Sequence, residues 1–541
     1  MTEIQIYDTT LRDGTQAEEI NLSTEDKIRI SHKLDELGVH YIEGGWPGSN
    51  ATDRKFFKEI KKYQLNRAKV AAFGSTHNPK TSAENDPNLK SILEAKTRVV
   101  TLFGKSWDLH VREALRIPLE RNLELIADSL RFIKPHVEEL FFDAEHFFDG
   151  FKDNPEYAIS CLKAAFEAGA DLLVLCDTNG GTMPSEVREI VTTVCRELPK
   201  ARIGMHAHND SEMAVANSVV AVEAGAVQVQ GTMNGYGERC GNANLCSIIP
   251  NLELKFDGQY RCLPEGRLQM LTTTSHYVSE VANLRQFLRQ PFVGRSAFAH
   301  KGGVHVSAVL RNPRTYEHIQ PKAVGNQQRV LLSDLSGKSN ILFMAKKYGY
   351  ELDKDDTSVH DLLAEVKERE TWGYEYSAAE ASFELLFFRT MGWSKQYFQL
   401  LNFRVVDAMQ EDGKDPSIEA TVMLKVRGQV EHTAATGQGP VNALDKALRK
   451  ALEPFYPGLK EMRLVDFKVR VLSGIVRDSG GTASVVRVLV ESADKDSRWT
   501  TVGVSFDIIQ ASWKALVDSL NYKLFKDDPQ KWPTKLDKGN E

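Results

Sequence analysis

Residues 4–38 read IQIYDTTLRDGTQAEEINLSTEDKIRISHKLDELG, a short β-type run that ends in polar residues and is followed by an amphipathic helical stretch. The same pairing recurs to about residue 255, with strand-like runs YIEGGW, KVAAFGS, RVVTLFG, EELFFDA, DLLVLCDT, RIGMHAHN and AVQVQGT. Helix-patterned segments such as NLELIADSLRFIK separate them. Eight strand–helix units in about 250 residues are the number and size expected of a (β/α)8 TIM barrel. A doubly wound sheet usually carries fewer strands and a glycine-rich first turn, which is absent here.

The whole chain has 541 residues, so the barrel leaves room for further units. Residues 1–265 form the expected barrel domain. Residues 266–400 are richer in helix pattern and polar loops, and read as an accessory segment. From 401 to 541 the pattern changes to strands, with a weak internal repeat: ATVMLKVRGQVEHTAATGQGPVNALDKAL against SVVRVLVESADKDSRWTTVGVSFDIIQASWKAL. Gly437 and Gly503 hold the same place after a strand, and Ala443-x-x-x-Ala447-Leu448 parallels Ala511-x-x-x-Ala515-Leu516. The expected fold class is therefore α/β: a TIM barrel, a helical accessory subdomain and a C-terminal α/β domain of two βββα units.

Composition narrows the function classes. A net charge of −6 gives no basic field for a phosphate backbone, which argues against nucleic acid as a partner. The six cysteines show no C-x-x-C spacing and read as reduced thiols, and no apolar run is long enough for a membrane span. A cytoplasmic enzyme is the expectation.

In a TIM barrel the chemistry sits at the C-terminal ends of the strands. Here those ends are dense in ionisable groups: Asp8 to Asp13, Glu43, Asp143 and Glu145, Asp177-Thr178-Asn179, and His206-Ala207-His208-Asn209-Asp210. Residues two apart on a strand face the same side, so His206 and His208 both point into the barrel mouth, where a cation could take a nitrogen from each. Asp13 after the first strand and Asn242 after the eighth are neighbours in a closed barrel and complete a mixed donor set. That set suits Zn, Mn, Co or Fe, and Mg less obviously, so it does not choose the metal. Arg12 offers a planar donor fork for a carboxylate or developing oxyanion, and equally a structural ion pair with Glu43. A metal and an arginine converging on one point would polarise a 2-oxo acid.

The runs DTTLRDGTQAE, YIEGGWPG, HAHND and NGYGERCGNANL closely resemble the signatures of the DRE-TIM metallolyases, in the branch of isopropylmalate, homocitrate and citramalate synthases. FGKSWDLHV, AHKGGVHVSAVL, TYEHI and GVSFDIIQASWKALVDSLNYKL are most similar to the citramalate-type members, and the likeness spans about residues 3–525. The resemblance implies a Claisen condensation of acetyl-CoA with pyruvate and water to give (R)-citramalate and CoA, the first step of the pyruvate route to isoleucine. A 2-isopropylmalate synthase, or another 2-oxo acid synthase of the branch, is the alternative. By motif position it makes Asp13, His206, His208 and Asn242 ligands of a divalent metal, with Mg, Mn, Zn and Co not distinguished. It gives Arg12 and Thr178 to the keto acid, and Arg12, Glu43, Glu145, His305 and Tyr316 to catalysis, with His305 doing acid–base work. It further implies a homodimer and isoleucine as effector. The chain departs from the branch at Thr15, at Ser307 and at Glu212, where many relatives carry glycine; Glu212 is expected to open a helix, where the dipole favours a carboxylate.

Overall fold

The computed structural model describes residues 1–331, 337–392, 395–408, 417–472 and 484–528. Eight parallel strands close into a barrel: β1 (Gln5–Asp8), β2 (Tyr41–Gly45), β3 (Lys69–Ser75), β4 (Val99–Lys105), β5 (Glu139–Glu145), β6 (Leu172–Asp177), β7 (Ile203–Ala207) and β8 (Gln228–Gly231). Each strand pairs with its successor in sequence, and the ring closes where β1 meets β8, Gln5 opposite Gln228 through Asp8 opposite Gly231. A helix returns the chain after every strand: α1 (Thr24–Leu37), α2 (Ala51–Glu59), α3 (Pro87–Glu94), α4 (Leu119–Ile133), α5 (Pro155–Glu167), α6 (Pro184–Glu197), α7 (Ala214–Glu223) and α8 (Leu245–Leu254). The eight strand–helix units expected from the pattern are all present.

Local chemistry sets the helix ends. Ser23 caps α1 in a reciprocal capping box with Asp26, and Gly38 closes it in the left-handed conformation. Proline stands at the start of α3, α5 and α6, where its missing N–H costs nothing. The strands follow the period-2 rule closely. Ile6, Ile42, Ala72, Phe142, Leu173 and Val229 belong to the large core cluster beneath the helices, while Tyr7, Tyr41, Ala71, Val99, Phe141, Leu172 and Val174 fill the barrel interior. Tyr41 packs edge-on against Phe141 at 5.1 Å between ring centres, so the lower barrel is closed by aromatic rings and the strand ends above it are left for polar groups.

Glu212 does not open a helix. It sits in the turn before α7 with φ +62°, its N–H donating to the Asn209 carbonyl at 2.9 Å, and Met213 caps the helix. This is left-handed backbone that glycine adopts freely and other residues uncommonly.

The chain divides into two compact units, residues 1–298 with 317–328 and residues 299–316 with 329–541. The first holds the barrel and α9 (Leu271–Val281). The second begins with helices α10 (Gly303–Arg311), α11 (Lys338–Lys347), α12 (Thr357–Thr371) and α13 (Glu380–Thr390). Two antiparallel three-stranded sheets follow, β9 (Phe398–Ala408), β10 (Ser417–Val426), β11 (Gln429–Gly437) and then β12 (Arg463–Leu472), β13 (Val485–Ala493), β14 (Arg498–Ser505). Helices α14 (Pro440–Leu452) and α15 (Ile508–Asp527) cover one face of each, so the two βββα copies are as expected.

The glycines of the repeat have the same job. A Cβ on Gly437 would lie 2.4 Å from the Ala443 backbone N, and one on Gly503 would lie 2.0 Å from the Ala511 carbonyl O, so each lets its helix approach the sheet. Gly503→Ala is expected to destabilise the second unit by about 1–3 kcal/mol, the usual range for overpacking. Gly439→Ala, where a Cβ meets nothing within 4 Å, serves as the control. Urea melts of the two variants would show the difference, and equal midpoints would refute it.

Candidate active site

The parity that fills the barrel floor also aims the upper side chains. Glu43, Phe73, Phe103, Asp143, Glu145 and Cys176 share the inward parity of Tyr41, Ala71, Val99, Phe141, Leu172 and Val174 along their own strands, and His206 and Gln230 alternate with Met205, Ala207 and Val229 of the core beneath the helices. Above the floor lies a cavity of about 220 Å³ whose lining includes Arg12, Asp13, Trp46, Phe73, Phe103, Asp143, Glu145, Thr178, His206 and His208.

Strand β7 ends at Ala207, so His208 lies one residue beyond it rather than on it. It keeps its inward direction because the backbone there forms an antiparallel bridge between His208 and Asn242. The Asn209 N–H donates to the Gly241 carbonyl and the Ala243 N–H to the Ala207 carbonyl, both at 2.9 Å. This bridge carries Asn242 to the site. The loop needs its glycines for the approach: a Cβ on Gly237 would fall 2.1 Å from Asn242 Nδ2, and Gly241, at φ +92°, would meet the Gly235 carbonyl at 2.0 Å.

Asp13, His206 and His208 present ligand atoms that all lie within 4.8 Å of one another, and all three residues are buried. The Nε2 atoms of His206 and His208 stand 3.5 and 4.0 Å from Asp13 Oδ2. Burial pushes both imidazoles down, to about 4 for His208, so both are neutral at physiological pH. Burial raises Asp13, but Arg12 and the two histidines outweigh it and hold the carboxyl near 2. A buried carboxylate beside two neutral imidazoles is the protonation state a divalent cation requires. Asp13 Oδ1 and Asn242 Oδ1 are moreover buried acceptors with no hydrogen-bond partner among the described residues. The residues present therefore fit a divalent cation; nothing in them selects which.

Arg12 adjoins this cluster. Its Nε donates to Glu43 Oε2 at 2.6 Å, its Nη1 lies 3.2 Å from Asp13 Oδ2, and its guanidinium covers the Phe73 ring at 3.8 Å. The structural ion pair with Glu43 is thus present, and the remaining donors face the cavity. Glu43 is fully buried and also accepts from the Tyr7 hydroxyl at 2.8 Å and from Thr9 Oγ1. Glu145 lines the cavity and pairs with Lys105. Thr178 lines it too, its Oγ1 accepting from the His146 N–H at 2.9 Å.

His305 and Tyr316 belong to the second compact unit. There the two rings stack, with centres 4.2 Å apart and planes 24° from parallel, and both side chains are exposed.

Several contributors went unread in the sequence. Trp46, Phe73 and Phe103 make the apolar wall, with Phe73 and Phe103 stacked at 5.3 Å and Trp46 edge-on to both. Arg239 ties the rim together, donating to both Asp210 carboxylate oxygens at 2.8 and 2.9 Å and to the Thr178 carbonyl at 2.7 Å. Gln230 stands behind His206. Strand parity would have found Phe73, Phe103 and Gln230; Arg239 lies in a loop and had no such signal.

Residues 3–278 match the HMGL-like family model, residues 292–371 the homocitrate synthase post-HMGL domain-like model, and residues 377–524 the LeuA allosteric (dimerisation) domain. The chain is 58% identical over 528 residues to the (R)-citramalate synthase of Geobacter sulfurreducens, covering 98% of this chain and 99% of that one. It is 53% identical to the (R)-citramalate synthase of Aquifex aeolicus with the same coverage. The 2-isopropylmalate synthase of Methanocaldococcus jannaschii is 30% identical over 97% of this chain and 95% of its own. The chain belongs to the family of the (R)-citramalate synthases, built on an HMGL-like barrel.

Proposed function

We propose that the protein is an acyltransferase that condenses acetyl-CoA with pyruvate and water to give (R)-citramalate and free CoA. The observation that carries this reading is the convergence of Asp13, His206, His208 and Arg12 at one point of the barrel mouth, in a chain that aligns end to end with (R)-citramalate synthases.

Asp13, His206, His208 and Asn242 would hold the divalent cation, which when bound supplies Lewis-acid polarisation of the keto oxygen. The free donors of Arg12 take the pyruvate carboxylate or the oxygen on which negative charge develops, and Thr178 positions the same substrate. Glu43 keeps the Arg12 guanidinium in its plane. A base removes a proton from the acetyl methyl group, and the resulting carbon attacks the keto carbon of pyruvate to form the new C–C bond. The alkoxide then takes up a proton, and water cleaves the thioester to release CoA. His305, with Tyr316 stacked on it, and Glu145 are the groups we assign to these proton transfers. The aromatic wall of Trp46, Phe73 and Phe103 offers an apolar surface that suits the pyruvate methyl group.

The match to the LeuA allosteric (dimerisation) domain supports a homodimer, and isoleucine is the effector we assign to that domain. No helix among the described residues is long and apolar enough to cross a membrane, and all six cysteines are free thiols, which fits a cytoplasmic setting.

Thiol release from acetyl-CoA, with a divalent metal present, is expected with pyruvate and not with 2-oxoisovalerate or 2-oxoglutarate. Release driven by 2-oxoisovalerate would move the protein to the isopropylmalate branch, and none with any keto acid would overturn the reading. His206→Ala and Asp13→Ala are expected to lower kcat by at least about a hundredfold while the circular dichroism spectrum is retained. Arg12→Lys keeps the charge and loses the fork, and should lower kcat/KM by about 100–1000-fold. Calorimetric titration of the intact protein with isoleucine should show binding; a flat titration removes the effector assignment.

A further inference from the structure

We propose that Gln230 is a positioning residue for the cation site: it fixes His206 in the tautomer whose Nε2 lone pair faces Asp13, and links that ring to Asp143 in the cavity wall. The inference rests on the reading of Asp13, His206 and His208 as cation ligands.

Gln230 is fully buried on β8, and its Oε1 lies 2.9 Å from His206 Nδ1. Its Nε2 donates to Asp143 Oδ1 at 3.1 Å, and Asp143 is itself buried. The amide has one acceptor end and one donor end, so its orientation decides which imidazole nitrogen carries hydrogen. With the NH2 group committed to the Asp143 carboxyl, the carbonyl faces His206 and can only accept, so Nδ1 bears the hydrogen. The lone pair then falls on Nε2, the atom 3.5 Å from Asp13 Oδ2. The opposite orientation would place the hydrogen on Nε2 and aim an N–H, not a lone pair, at Asp13. Partners behind a ligating histidine fix ring and tautomer in this way.

The choice of an amide follows from the charges around it. Asp13, Glu43 and Asp143 are three buried carboxyls, with Arg12 paired to the first two. A glutamate at 230 would orient His206 equally well but add a fourth buried acid. Glutamine supplies the acceptor without the charge. It also makes Asp143, which touches the cavity, part of the support of a ligand.

The test is calorimetric Mn²⁺ binding to the full-length protein and to Gln230→Met, Gln230→Glu and His206→Ala. Gln230→Met, which fills the volume without an acceptor, should weaken binding ten- to a hundredfold, roughly the range for such partners, and Gln230→Glu should restore it to within about threefold. The unaltered protein, labelled with ¹⁵N-histidine and free of metal, should show His206 as the Nδ1–H tautomer, its signal assigned by loss in His206→Ala. Wild-type affinity in Gln230→Met, or an Nε2–H signal, overturns the role of Gln230 alone. Failure of the wild type to bind Mn²⁺ more tightly than His206→Ala overturns the cation site itself, and this inference with it. Should Gln230→Met not fold, the tautomer signal decides.

Discussion

Arg12 stands between two buried carboxylates, and the upper barrel is organised around that one cation. Removing a carboxylate from water costs several kcal/mol unless it is paired and hydrogen-bonded. Asp13 and Glu43 share the guanidinium, and Glu43 gains further donors from Tyr7 and Thr9. Tyr7 in turn belongs to the aromatic floor and also meets Thr101 through its hydroxyl at 2.8 Å. The packed interior and the polar rim are therefore one continuous structure: rings hold the phenol, the phenol holds the acid, and the acid holds the arginine against Phe73. Loss of the guanidinium would leave two uncompensated charges in a closed barrel, so this group serves the stability of the site.

The barrel was legible in the sequence because two periods alternate in it, period two within strands and a helical period between them. Asp13, His206 and His208 were legible because each lies at a strand end, and Asn242 because closure makes the first and eighth strands neighbours. The details that escaped have physical reasons. His208 leaves its strand one residue early, and a backbone bridge restores its direction. Glu212 carries a charge that suggests a helix start, whereas its position is decided by a left-handed backbone that side-chain chemistry does not announce. Gln230 has no charge and sits in an ordinary β run, so only its parity marks it. The interleaving of residues 299–316 and 317–328 between the two compact units comes from the chain folding back on itself, which a linear change of composition does not report.

The second unit was legible for a different reason. Its two copies obey the same constraint, a glycine that lets the following helix lie against the sheet, and the flanking alanines keep that helix surface flat. Constraints of this kind survive divergence of everything around them, which is why a weak repeat still gave the right count of strands and helices. The sheets differ elsewhere: Trp499 of the second copy donates to Ser519 Oγ at 2.9 Å, whereas Thr433, four residues before Gly437 as Trp499 is before Gly503, donates to the Ala447 carbonyl at 2.8 Å.

The closure of the barrel has a mechanical side. Asp13 follows the first strand, and Asn242 follows the last, so donors from the two margins of the sheet meet over the seam where β1 pairs with β8. A ring of parallel strands opens most readily along the seam that joins its two chain-distant edges, because no short connection spans it. Any ion gripped by these side chains acts as a clasp across that seam, so grip and closure are coupled: what loosens the ring loosens the hold, and what is held keeps the ring shut.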